Sequence, residues 1–412
     1  MKCRNCNTEM KLQFLDLGAA PPSNDYLSQS NVSGPETWYP LRLLVCESCW
    51  LVQTEDYAGR EALFSDDYAY FSSYSDSWLE HARNYFELTK DRFGLNSKSM
   101  VVEVAANDGY LLQYVKESSI PCYGIEPTAS TAQAARNKGV LIVQEFFGKS
   151  LAKQLAAEGK QADLLVANNV LAHVPDIHDF VGGFPLLLKS EGICTFEFPH
   201  LLKMVQELQF DTAYHEHFSY LSFTVVNHIL GKHGLEVFDV EELSTHGGSL
   251  RVYAQLSKSG RHKISGAVSE LLQREIETGL KTPDYYRGFQ ERAVQLKHKL
   301  LEFLLKMRAE RKLVCAYGAA AKGNTLFNFC GIRSDLVPFV ADRNPAKIGK
   351  FLPGSRIPIV SEGVIKEQKP DVVLILPWNL SRELRSQLSY VADWGGQLAI
   401  AVPEIHILEA AL

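Results

Sequence analysis

Four of the eight cysteines in this 412-residue chain are spaced to hold a metal. Cys3 and Cys6 form one C-x-x-C, and Cys46 and Cys49 form another. Two thiolates on one tight turn reach the same ion, and two such turns close an S4 tetrahedron, the donor set that suits zinc. Four protein ligands leave no open coordination position, so the metal is expected to be structural. The segment between the turns is long enough to fold as a small subdomain. A redox C-x-x-C is the competing reading, and it predicts a single motif between a strand and a helix. Cys122, Cys194, Cys315 and Cys330 lie in or beside apolar runs and read as small core residues.

A second concentration of chemistry is Tyr214, His215, Glu216 and His217, four titratable groups in a row. A solvated loop does not need so many aromatics, and a core does not welcome two imidazoles and a carboxylate. The H-E-H spacing lacks the i, i+4 pair of a hydrolytic zinc helix, and no third ligand stands out. Proton transfer is the better reading, since imidazole titrates near neutrality and a carboxylate can orient it.

A third set lies at the ends of apolar runs. MVVEV runs into the turn A-A-N-D-G, which brings Asn107 and Gly109; PCYGIEP ends on Glu126; DLLVA ends on Asn168 and Asn169, with His173 shortly after. In open parallel sheets, ligands bind at the carboxyl ends of strands, and an acid after the second strand takes ribose hydroxyls. The turn lacks the G-x-G-x-x-G that lets a pyrophosphate approach, so a ligand without one, such as S-adenosylmethionine, is expected. Each polar residue here can also be an ordinary cap or turn residue.

Other stretches carry two readings. Tyr68, Tyr70 and Tyr74 crowd a loop that either packs a domain junction or lines a polar substrate pocket. STHGGSLRVYAQL brings His246, a glycine bend, Ser249 and Arg251, which is an anion contact or an ordinary salt bridge. In YGAAAKGN, Lys322 stands near a helix start that either holds phosphate or simply packs closely on its sheet. The stretch is not a Walker loop, because it lacks the G-K-[ST] ending.

The elements that position these residues follow from periodicity. Apolar runs of strand length alternate with helical segments, which predicts an α/β chain. A helix starts near Ser75 to Ser77, one or two connecting helices fall between about 262 and 310, and a second α/β unit begins at KLVCAYG. The expected division is a zinc-binding domain over 1–65, a Rossmann-type domain over 66–260, connecting helices over 261–310 and a C-terminal Rossmann-like domain over 311–412. With 46% hydrophobic residues and a net charge of −6, the chain carries no basic stripe, so a nucleic-acid partner is not expected. No apolar run is long enough to span a bilayer, and the first residues lack a signal h-region, so a cytoplasmic location is expected.

Over nearly its whole length the chain resembles the sugar C-methyltransferases of deoxysugar pathways. The resemblance is carried by the paired C-x-x-C turns, DYAYFSS, EVAANDG, YHEHFSY, HGGSLR, YGAAAKGN and DRNPAKIGKFLPG. It implies transfer of a methyl group from S-adenosylmethionine to C3 of a nucleotide-linked 4-keto-deoxysugar through an enolate. His217 would be the base, with Glu216 and Tyr214 orienting it or stabilising the enolate oxygen, Tyr70 closing over the sugar and His173 near it. The cofactor would meet Glu103, Ala105, Asn107, Gly109, Glu126, Asn168 and Asn169. The substrate would meet Tyr68, Ser72, Ser73, His246, Ser249, Arg251, Lys322 and Asn324. The family turn has glycine where this chain has Ala105, whose methyl group would crowd the methionine part of the cofactor. Two other readings stay open: a methyltransferase acting on a non-sugar acceptor, and a non-catalytic protein that binds cofactor or sugar nucleotide.

Overall fold

The structure is a computed structural model that describes residues 1–57 and 71–409. Tyr68 and Tyr70 lie outside the described residues. Strands β1 (Leu12–Ala20) and β2 (Tyr39–Val45) pair antiparallel between the two cysteine turns, and β3 (Val52–Thr54) follows the second turn. The two turns are alike. Asn7 N–H closes on Cys3 O and Trp50 N–H on Cys46 O, and both closing residues have positive φ, 63° and 64°.

The helix Asp76–Phe93 begins where Ser75 Oγ accepts the Trp78 N–H, and Gly94 ends it in the left-handed region at φ +65°. A seven-stranded sheet then forms from β4 (Val101–Val104), β5 (Cys122–Ile125), β6 (Ile142–Val143), β7 (Ala162–Asn168) and β8 (Leu188–Pro199), joined by two later strands. Every side chain of β4 is buried, as expected of a parallel strand covered on both faces. The short β9 (Ser219–Tyr220) does not join this sheet; it pairs with β3 as the fourth strand of the N-terminal sheet. After it come the helix Phe223–Lys232, capped by Ser222, and the antiparallel pair β10 (Leu235–Leu243) and β11 (Ser249–Leu256).

The central order is β6-β5-β4-β7-β8-β11-β10. Strand order reverses between β4 and β7, which opens a crevice outside their carboxyl ends. The helices Gly266–Glu277, Pro283–Tyr286 and Phe289–Ala309 lead to a six-stranded sheet of β12 (Val314–Tyr317), β13 (Val340–Asp342), β14 (Ile359–Ser361), β15 (Val372–Ile375), β16 (Gln397–Ile400) and β17 (His406–Leu408). Its order, β14-β13-β12-β15-β16-β17, reverses between β12 and β15, and only the edge strand β17 is antiparallel. Strands β14 and β17, three residues each, are too short to give a readable period. Among the described residues, no helix is long and apolar enough to cross a membrane.

Candidate active site

The four thiols converge as their spacing requires. Cys3, Cys6, Cys46 and Cys49 place all their Sγ atoms within 4.8 Å of one another, with Cys3–Cys49 at 3.5 Å and Cys6–Cys46 at 3.4 Å. A tetrahedral zinc with Zn–S bonds of about 2.3 Å separates its sulfurs by about 3.8 Å, so the donor set fits the ion. Four thiolates fill the coordination sphere, and zinc here is structural.

A cavity of about 350 Å³ opens at the carboxyl ends of β4, β5 and β7. Its walls come from all three sheet regions: Asn24 from the N-terminal segment, the central crevice, and Ala320, Ala321, Lys322 and Lys347 from the C-terminal unit. The turn after β4 is built from left-handed residues, Ala105 at φ +58°, Asn107 at +48° and Gly109 at +75°. Asn107 is suited to that region, whereas a Cβ at Ala105 strains the backbone as well as narrowing the crevice. Glu126, one residue past β5, accepts the Asn107 N–H at 2.9 Å on one oxygen. Its other oxygen accepts the Thr128 N–H and the Thr131 hydroxyl, each at 3.0 Å. Burial pushes the carboxyl up and these donors pull it back. Beside it, Oδ1 of Asn168 and both side-chain polar atoms of Asn169 are buried without a hydrogen-bond partner. Val104, Ile125, Phe146, Phe147 and Trp78 supply an apolar slot. An acid for ribose hydroxyls, orphaned amides and an apolar slot together fit S-adenosylmethionine.

His217 lines the same cavity. Its Nδ1 lies 3.0 Å from the Thr212 carbonyl, which can only accept, so Nδ1 carries the proton and Nε2 the lone pair. Burial holds the imidazole neutral, well below its usual range, and the neighbouring His173 adds to this. The Tyr214 ring lies over it at 3.9 Å and the His173 ring edge at 4.6 Å. His173 Nδ1 donates to the Glu216 carbonyl at 2.9 Å, and burial lowers its pKa to about 4.

The orienting contact on His217 is thus Thr212, not Glu216. The Glu216 carboxylate faces the cavity and accepts from Asn24 Nδ2 on both oxygens, at 2.9 and 2.8 Å. His246 sits at φ +54° with Nε2 buried and unpartnered, and burial lowers it to about 4. Lys322 donates to Asn379 at 2.6 Å over the Trp378 ring; burial brings it down to about 8, and buried Asp211 opposes that fall.

Of the expected site residues, Ala105, Asn107, Glu126, Asn168, Asn169, Ser72, His173, Tyr214, Glu216, His217, His246 and Lys322 line the cavity. The others do not. Glu103 is fully buried in β4, beneath the turn, where burial pushes its carboxyl well up. Gly109 faces Ala135, which a Cβ would meet at 3.2 Å, so it serves helix packing. Ser73 accepts from Lys138, and Ser249 donates to the Thr245 carbonyl. Arg251 is buried against Glu197 at 3.0 Å and Glu241 at 3.3 Å, a salt bridge and not an anion contact in the cavity. Asn324 is spent on the Ser23 carbonyl. Sequence reasoning missed Tyr110, which directly follows the cofactor turn, and Asn24, Trp78 and Lys347, which long-range folding brings to the wall.

Three family profiles divide the chain: a zinc binding domain over residues 3–64, a methyltransferase domain over 78–240 and a C-methyltransferase C-terminal domain over 244–403. The chain is 32% identical over 409 residues to C-methyltransferase NovU of Streptomyces niveus, covering 99% of this chain and 97% of that one. Among solved structures it is similar to magnesium protoporphyrin IX methyltransferase of Synechocystis with bound S-adenosylmethionine (15% identity, 49% of this chain and 99% of that one, TM-score 0.36). It is also similar to an S-adenosylmethionine-dependent methyltransferase of Clostridium acetobutylicum (11% identity, 43% and 92%, TM-score 0.35). With three profiles in register and a full-length relative, the chain belongs to the C-methyltransferase family and is an S-adenosylmethionine-dependent C-methyltransferase.

Proposed function

We propose that the acceptor is a nucleotide-linked 4-keto-deoxysugar, methylated at C3, and that His217 is the base. The observation that carries this reading is the state of His217: neutral, buried at the cavity wall, with its proton fixed on Nδ1 by Thr212. A ketone acidifies the carbon next to it. Nε2 takes the proton from C3, the electron pair passes onto the C4 oxygen as an enolate, and C3 becomes the nucleophile. Glu126, Asn168 and Asn169 would hold S-adenosylmethionine, which would supply the electrophilic methyl group, its S–CH3 bond breaking as C3–CH3 forms and S-adenosylhomocysteine leaving. Beyond this the protein places the reactants, which accounts for much of the rate. Tyr214 and His173 pack the base and exclude water. His246 Nε2 is a polar contact for the sugar, and Lys322 a charge for the phosphates; the length of a nucleotide-linked substrate suits a wall shared with the C-terminal unit.

The test is hydrogen exchange in D2O with a panel of nucleotide-linked 4-keto sugars and no methyl donor. Deuterium should enter at C3 with the wild-type enzyme and not with His217→Ala. Methyl transfer without any base-dependent exchange, or S-adenosylhomocysteine formation only with non-sugar ketones, would sink the reading.

A further inference from the structure

The N-terminal module grips the segment around His217 residue by residue. His215 Nε2 meets the Tyr39 and Pro40 carbonyls, both at 3.3 Å. Glu216 is held by Asn24. The Thr54 hydroxyl donates to the His217 carbonyl at 2.5 Å, and the Thr54 N–H donates to the Phe218 carbonyl at 3.2 Å. Ser219 and Tyr220 then pair with Gln53 and Val52. Tyr220 closes the loop, since its hydroxyl accepts the Tyr214 N–H at 3.3 Å. Thr54 is 1% exposed and does not itself line the cavity.

Strand β3 is in turn tied to the first cysteine turn. Arg4, between Cys3 and Cys6, donates its N–H to Gln53 Oε1 at 2.8 Å, and Gln53 Nε2 returns to the Lys2 carbonyl at 3.3 Å. The Arg4 guanidinium lies 4.9 Å from the Phe218 ring centre and donates to the Pro175 carbonyl at 3.0 Å, two residues beyond His173. Hydrogen bonds from the metal-binding turn to Gln53, the β3 backbone from Gln53 to Thr54, and the Thr54 hydroxyl thus connect the cysteine turn to the residue on the cavity.

We infer that Thr54 is a positioning residue for His217, and that the cysteine-bound module sets the place of the base through it. The inference rests on His217 being the base. Thr212 fixes the imidazole and Thr54 fixes the backbone behind it, so the ring is held from both sides.

The experiment uses the full-length, zinc-loaded chain. Thr54→Val keeps the branched shape and removes the donor. A misplacement of about 1 Å costs on the order of 100-fold in rate, so kcat should fall about 10- to 100-fold. Zinc content and S-adenosylmethionine affinity should stay at wild-type levels. The acid limb of the pH–rate profile should move up, because a displaced imidazole is less desolvated. Thr54→Ser should restore both rate and profile. A Thr54→Val enzyme with lower thermal stability or zinc content, but wild-type kcat per folded chain and an unshifted profile, overturns the inference. His217→Ala separates the two ideas. If it is inactive while Thr54→Val is normal, the base stands and the positioning role falls. If it turns over normally, the base assignment falls, and the role of Thr54 with it.

Discussion

In the central sheet, the turn after the first strand donates the Asn107 N–H to Glu126, the acid just past the second strand. In the C-terminal sheet, the turn after its first strand donates the Ala319 N–H to Asp342, the acid ending its second strand, at 2.7 Å. Both sheets reverse their strand order at the same place. Around Glu126 the crevice is open and lined by unpaired amides. Around Asp342 it is filled by the protein itself. Tyr26 and Lys347 both donate to the Ala319 carbonyl, at 2.6 and 2.8 Å, and Pro377 closes on Gly318, where a Cβ would lie 2.5 Å from its ring. Topology makes a crevice; the side chains that do or do not fill it decide whether it binds.

The contrast can be tested by substitution. The largest effect belongs to the chemistry rather than to either crevice. His217→Ala should lower kcat by about 1,000-fold, within the range for loss of a general base, with donor binding intact by calorimetry. Next, Glu126→Ala should weaken S-adenosylmethionine binding by about 10- to 100-fold, the worth of a charge-assisted contact, while Asp342→Ala leaves it unchanged. Equal losses would abolish the distinction between an open and a filled crevice.

A smaller effect concerns pH. Lys322 is charged below about 8, so kcat/KM for the phosphorylated acceptor should fall as pH rises through that value. Asp211 favours the charged lysine, so Asp211→Asn should move this limb to lower pH. The acid limb, set by His217, should lie below the ordinary histidine range, with activity kept until the imidazole protonates. The smallest effect is at the turn: Ala105→Gly relieves a left-handed strain of about 1–2 kcal/mol and gives back part of it as chain entropy. A net gain of about 0.5–1 kcal/mol in stability, with tighter donor binding, is expected from thermal melts and titration. An unchanged melting temperature would remove the strain.

What the sequence made readable was local. A metal site built from two tight turns needs its ligands at fixed short spacing, so Cys3, Cys6, Cys46 and Cys49 stand out. The β4 turn and Glu126 are readable because strand, turn and acid follow in order. Arg251 and Ser249 were misplaced because a strand's period tells only that side chains alternate, not which face meets a cavity. Arg251 and its cross-strand partner Glu197 share the buried face. Asn24 gave no signal, and Lys347 stood inside DRNPAKIGKFLPG with no role of its own, since each reaches the wall through a fold that brings distant segments together. The same is true of β9, two residues whose place in the N-terminal sheet depends on a partner far away in the chain.

The cavity takes most of its lining, Glu126, Asn168 and His217 included, from the central unit, and Ala320, Ala321, Lys322 and Lys347 from the C-terminal one. Mutational drift can therefore act on the two contributions independently. Changes at Ala320, Ala321 or Lys347 alter the C-terminal part of the lining without touching Glu126, Asn168 or Asn169. With the acceptor placed as proposed, a lineage could exchange acceptors while its methyl-donor site stays constant, and chimaeras that trade only the C-terminal unit are the natural starting point for redirecting the enzyme.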